Sequence, residues 1–106
     1  GTAGSNVIEN ISDIAPDLAR YIIEFAFGQI YERPGLSLQE RELLTLSSLL
    51  TAGGCEAQLQ VHINAALHVG IKEEKIIEAF LHCIPYTGFP KVLNAVAVAG
   101  QIFSGK

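Results

Sequence analysis

A chain of 106 residues is a single domain by length, and with 49% hydrophobic against 17% charged residues it cannot be a disordered or linker segment. Seven lysines and arginines against eleven acidic residues leave no basic patch for nucleic acid, and the longest apolar runs, such as Ala95 to Ala99, are far too short to span a bilayer. So small a domain buries only about two-thirds of its unfolded surface, so this apolar, charge-poor composition points to self-association.

The chain contains no methionine and opens Gly1-Thr2-Ala3-Gly4-Ser5, which reads as a processed start. Residues 1–12 are therefore expected to be a flexible terminus of a domain spanning 1–106. From Pro16 onward apolar residues recur at helical spacing and no segment alternates for long, so the fold class is all-α, with five helices. The first opens at Asp13 or Pro16, buries Leu18, Ile22, Ile23, Phe25 and Ile30, and ends near Arg33 before Pro34-Gly35. Ser37 followed by Glu40 forms a capping box for the second, which turns Leu43, Leu44, Leu46, Leu49 and Leu50 inward and stops at Gly53-Gly54.

The third helix runs from about Cys55 to Val69 and closes at Gly70. Glu73 and Glu74 suit the positive end of the fourth, which carries Ile76, Ile77, Phe80 and Leu81 until Pro85 ends or kinks it. Thr87 can cap the fifth, with Pro90 in its first turn and Val92, Ala95, Val96, Ala99 and Phe103 as its buried stripe. Small residues in that stripe predict close helix packing.

Cys55, Gln58, Leu59, His62 and Ala66 share one face of the third helix, so His62 points where its apolar neighbours point. A histidine there is either a satisfied core or interface residue or a general acid or base in a cleft. Cys55 lies two turns away, about 10 Å along the axis, and cannot form a thiolate–imidazole pair with it; alone it reads as a small buried hydrophobe. Cys55 and Cys83 are not spaced as a CxxC pair, so reduced thiols and a cytosolic setting are expected. His68 sits where a helix end favours a positive group. The histidines at 62, 68 and 82 lack ligand spacing, so no metal site is expected.

Several segments are more specific together than apart: Arg33-Pro34-Gly35-Leu36, Glu40-Arg41-Glu42-Leu43-Leu44, Gln58-Leu59-Gln60-Val61-His62 with Ala65-Ala66-Leu67 and Gly70, then Glu73-Glu74 and Tyr86-Thr87-Gly88-Phe89-Pro90. In this order, over roughly residues 28 to 103, the chain resembles the carboxymuconolactone decarboxylase family of the alkylhydroperoxidase D-like superfamily. The resemblance implies a compact helical protomer in an obligate homo-oligomer, a trimer of dimers, with sites between helices and subunits. It implies a cofactor-independent enzyme acting on a small carboxylated butenolide such as 4-carboxymuconolactone, in aromatic catabolism. The peroxidase branch of the superfamily uses a glutamate, a CxxC pair and a histidine. Glu42, Cys55 and His62 match three of these, but Gln58 stands in place of the second cysteine, and without it no intramolecular disulfide closes a thiol cycle. Thiol peroxidase and catalytically silent binding protein are the competing readings.

Loss of carbon dioxide from such a lactone leaves an extended enolate that must be stabilised and reprotonated. The resemblance makes His62 the acid and Glu42 the carboxylate that orients it, although Glu42 could also be a solvated helix charge paired with Arg41. A second substrate carboxylate calls for a guanidinium, which singles out Arg33 and then Arg41. Tyr86 could donate a hydrogen bond from a loop, or simply pack. Cys55, Gln58 and His82 are expected to line the pocket. His82 and Pro85 depart from the family pattern beside it.

Overall fold

The computed structural model describes residues 2–105, with side chains from Val7 onward, and all elements among them are helical. They are α1 (Thr2–Ile14), α2 (Pro16–Tyr21), a π-helix π1 (Ile22–Ile30), α3 (Leu38–Ala52), α4 (Glu56–His68), α5 (Glu73–His82), the single turn α6 (Ile84–Thr87) and α7 (Phe89–Ser104).

Local chemistry sets the ends of the central pair. The Ser37 hydroxyl accepts from the Glu40 amide at 3.1 Å and the Glu40 carboxylate accepts from the Ser37 amide at 2.8 Å, closing the expected capping box on α3. Hydrogen bonding to the carboxylate from the Ser37 backbone amide, and then from its side chain, holds the Glu40 carboxyl below its ordinary pKa. Gly53, at φ +77°, ends α3 in the left-handed region that a side chain would disfavour. At the end of α4, Gly70 takes φ +93° and the Ile71 amide reaches back to the Ala66 carbonyl at 3.0 Å, satisfying an otherwise orphaned acceptor.

The core lies between α3, α4, α5 and α7. Leu46 and Leu50 meet Leu59, Ile63 and Ala66, with Ile76 and Phe80 on one side and Val92, Ala95 and Ala99 on the other. The alanines let α7 pack closely along α4, as the small-residue stripe predicts.

The N-terminal third differs from the sequence expectation. Residues 2–14 form a helix that packs on α4. The expected first helix divides into α2 and π1, and Leu18, Ile23, Phe25 and Ile30 are exposed rather than buried. The reason is the wider π turn: bonds such as that from the Tyr31 amide to the Ala26 carbonyl at 2.9 Å span five residues, so positions chosen at helical spacing no longer share a side. Ile22, Ala26 or Phe27, and Tyr31 share one instead.

Two further corrections are local. Thr87 does not cap α7; Gly88 occupies that position at φ +96°, and the Thr87 hydroxyl lies 3.1 Å from that of Thr51. Pro85 does more than end α5, because it starts the extra turn α6, for which its missing amide is suited. Leu44 and Leu81 point outward, on the solvent side of the stripes that bury Leu46 and Phe80.

Candidate active site

α3 and α4 lie side by side, and each supplies one member of a pair. His62, on α4, places Nδ1 2.9 Å from Oε1 of Glu42 on α3. The imidazole keeps 21% of its surface exposed while the carboxylate behind it keeps 8%. Burying a carboxylate is costly unless it is hydrogen-bonded, so this pairing gives Glu42 a reason to lie inside the fold. With a carboxylate accepting at Nδ1, that nitrogen carries the proton and Nε2 is the nitrogen available to a ligand.

His62 opens onto a cavity of about 390 Å³. Gln58 and Val61 reach it from the same face of α4, and Thr45 from α3. The opposite wall is apolar: Val7 and Ile8 from α1, then Ile22, Ala26 and Phe27 from π1. Tyr31, which follows π1, closes one end. Its hydroxyl donates to Thr45 Oγ1 at 2.5 Å, and Thr45 in turn donates to the Arg41 carbonyl at 2.8 Å.

Burial pushes the Tyr31 phenol above its ordinary value of 10.0; the Thr45 bond opposes this, the Glu42 charge adds to it and Arg41 opposes it more weakly. The folded state therefore keeps this proton at a pH where the unfolded chain releases it. That contribution to stability is complete below the unfolded pKa and is lost as pH rises through about 10 toward the folded value. Denaturant unfolding of Tyr31→Phe is expected to show a shallower decline in stability over that window than the parent chain; an identical decline would mean that the phenol is not held in its neutral form.

The other expected site residues are placed elsewhere. Cys55 is outside the cavity lining, with its thiol donating to the Gly53 carbonyl at 3.4 Å. His82 ends α5 and stacks obliquely on Tyr86, ring centroids 5.7 Å apart, and Tyr86 is 79% exposed because α6 turns it outward. Neither borders the cavity beside His62. Arg33 is exposed, and its carbonyl accepts from Arg41 Nη2 at 2.7 Å. Arg41 lines a separate cavity of about 300 Å³, shared with Tyr31 and Thr45 but not with His62, and its Nε is buried without an acceptor among the described residues.

Sequence reasoning missed Tyr31, Thr45 and the whole apolar wall. Val7, Ile8 and Ile11 are spaced as an amphipathic helix, a signal available in the residues set aside as a terminus. Tyr31 carried no comparable signal, since its position depends on the π turn.

Residues 16–101 match the family model described as "Carboxymuconolactone decarboxylase family". Over 96 residues the chain is 34% identical to a 4-carboxymuconolactone decarboxylase of Acinetobacter baylyi, covering 91% of this chain and 71% of that protein. Over 99 residues it is 35% identical to a nitrosuccinic acid decarboxylase of Metarhizium robertsii, covering 90% and 68%. It is also 26% identical over 92 residues to an uncharacterised protein of Paracoccus denitrificans, covering 86% and 69%.

Proposed function

Because the chain belongs to the carboxymuconolactone decarboxylase family, we propose that it is a cofactor-independent carboxy-lyase acting in the cavity beside His62. The observation that carries this reading is the buried Glu42 carboxylate held 2.9 Å from the His62 imidazole at the edge of a largely apolar cavity. An apolar surrounding disfavours a charged carboxylate relative to neutral carbon dioxide and so promotes its loss.

In the step we envisage, the bond between the substrate carbon and its carboxylate breaks and carbon dioxide departs. The electron pair passes into an attached acceptor, the lactone conjugated system in a carboxylated butenolide such as 4-carboxymuconolactone or the nitro group in a nitro acid. The Gln58 amide can donate a hydrogen bond to the acceptor oxygen, where charge accumulates. Protonated His62 then delivers a proton from Nε2 to carbon, while Glu42 balances the imidazolium and fixes its orientation. We also propose that the chain self-associates, and the exposed Leu18, Ile23, Phe25, Phe89 and Leu93 support that reading.

The test is carbon dioxide release from a panel of carboxylated butenolides and nitro-substituted carboxylic acids. Release from none of them would remove the reading. Glu42→Gln keeps the shape and a hydrogen bond but not the charge, so it is expected to lower turnover by about one power of ten, less than the two to four that a general acid contributes. Turnover unchanged in Glu42→Gln would make the carboxylate structural. A thiol cycle receives no support from the placement of Cys55, and no step above uses sulfur. Cys55→Ser is accordingly expected to retain decarboxylation in full, and hydroperoxide turnover abolished by this substitution would reverse the assignment.

A further inference from the structure

Two hydroxyl groups that border the His62 cavity have their protons already committed. Thr45 has one hydroxyl proton and donates it to the Arg41 carbonyl at 2.8 Å. The 2.5 Å contact between the hydroxyls of Tyr31 and Thr45 is therefore donated by Tyr31, with Thr45 Oγ1 accepting. Burial holds the phenol in its protonated form, so this donor is not lost near neutral pH. What Tyr31 has left to offer a ligand is a lone pair on its oxygen.

The polar lining thus differs in hydrogen-bonding sense from place to place. Tyr31 and Thr45, both half-buried, present acceptors. Gln58, at the exposed rim, carries an amide that donates as well as accepts. The substrate oxygen on which charge gathers finds its donor in that amide. The same oxygen brought to Tyr31 would meet a lone pair, with the charge of Glu42 close enough to act on the phenol. A neutral hydroxyl in that place would instead donate, and both oxygens would be satisfied.

Resting on the decarboxylase reading, we infer that the preferred substrate is a hydroxylated carboxylic acid, and that Tyr31 is a specificity-determining residue whose oxygen accepts a hydrogen bond from the substrate hydroxyl. Thr45 sets that role by holding the phenol proton. The hydroxyl takes no part in breaking the bond to the carboxylate. It fixes which end of the molecule lies at Tyr31 and leaves the electron-accepting group for Gln58.

Unreactive ligands measure recognition apart from chemistry. Two butenolides lacking the departing carboxyl carry, on the same ring carbon, either a secondary hydroxyethyl or an acetyl group, which are close in size and differ in having a donor. Each is titrated calorimetrically into the intact protein. The hydroxyethyl lactone is expected to bind about tenfold more tightly, the equivalent of one hydrogen bond made by one ligand and denied to the other. Tyr31→Phe is expected to bring the two affinities within about twofold of each other. Thr45→Val removes the acceptor of the phenol proton and frees that proton for the ligand, so acetyl affinity is expected to rise about fivefold. Equal or tighter binding of the acetyl lactone to the parent chain overturns the inference. So does binding of neither lactone, or a hydroxyethyl preference that persists in Tyr31→Phe. Unchanged acetyl affinity in Thr45→Val overturns the part given to Thr45. If the preferences behave as expected but no acid, hydroxylated or not, releases carbon dioxide, the decarboxylase reading falls and the acceptor role of Tyr31 stands. Faster release from acids without a hydroxyl than from their hydroxylated counterparts overturns the inference and leaves the decarboxylase reading in place.

Discussion

Substituting His62 by glutamine is expected to lower decarboxylation by about two to four powers of ten, the range a positioned general acid supplies. Affinity for a product-like lactone should change little, because the proton donor acts on the carbanionic species rather than on the bound ground state. The glutamine amide can still meet Glu42, whose oxygen lies 2.9 Å from Nδ1 in the parent chain, so the buried carboxylate is not stranded. The imidazole is only 21% exposed, and a glutamine of similar volume keeps much of its packing. Single-turnover carbon dioxide release beside a thermal melt separates the two contributions. A variant that melts earlier but turns over at the parental rate per folded molecule would make His62 a packing residue and end the proposed mechanism.

Leu46→Ala is expected to do the opposite. Leu46 is fully buried, four residues beyond Glu42 on α3, and forms part of the core between α3 and its neighbours. Removing its side chain should cost about 2 to 5 kcal/mol, the transfer energy of the lost atoms plus that of the cavity left behind. In a domain of this size each kcal/mol lowers the melting temperature by about 4 to 8 °C, so the shift should be large and easily read. Turnover per folded molecule should stay near the parental level, because Glu42 and His62 bond each other directly and both sit on intact helices. A loss of turnover larger than the loss of folded protein would show that core packing, and not the hydrogen bond alone, sets the geometry of the pair.

What could be read from the sequence follows how local the determining interactions are. The limits of α3 and α4 are written in neighbouring residues: a serine and glutamate that cap each other, and glycines that take positive φ at Gly53 and Gly70. His62 was marked by its spacing on α4. Glu42 was not, since its meeting with His62 spans twenty residues of sequence, and only the resemblance to the family pointed to it. π1 escapes a period of 3.6 residues because its turns are wider. Thr87 looked like a cap on residue type alone, while the backbone placed Gly88 there and gave the threonine a distant partner in Thr51. Charge alone singles out Arg33 and Arg41. The structure ties them to each other through a backbone carbonyl, a contact that charge does not foretell.

The two walls of the His62 cavity are anchored very differently. On one side α3 and α4 bury Glu42, Leu46, Leu50, Leu59, Ile63 and Ala66 in the same helices that present the reacting groups, so a change there disturbs the fold. On the other side π1 buries no residue at all. Substitution of its cavity-facing Ile22, Ala26 or Phe27 can reshape that side while the proton-transfer apparatus and the core of the domain remain as they were. A chain built in this way can diversify its choice of substrate one neutral step at a time, with the chemistry carried along unchanged.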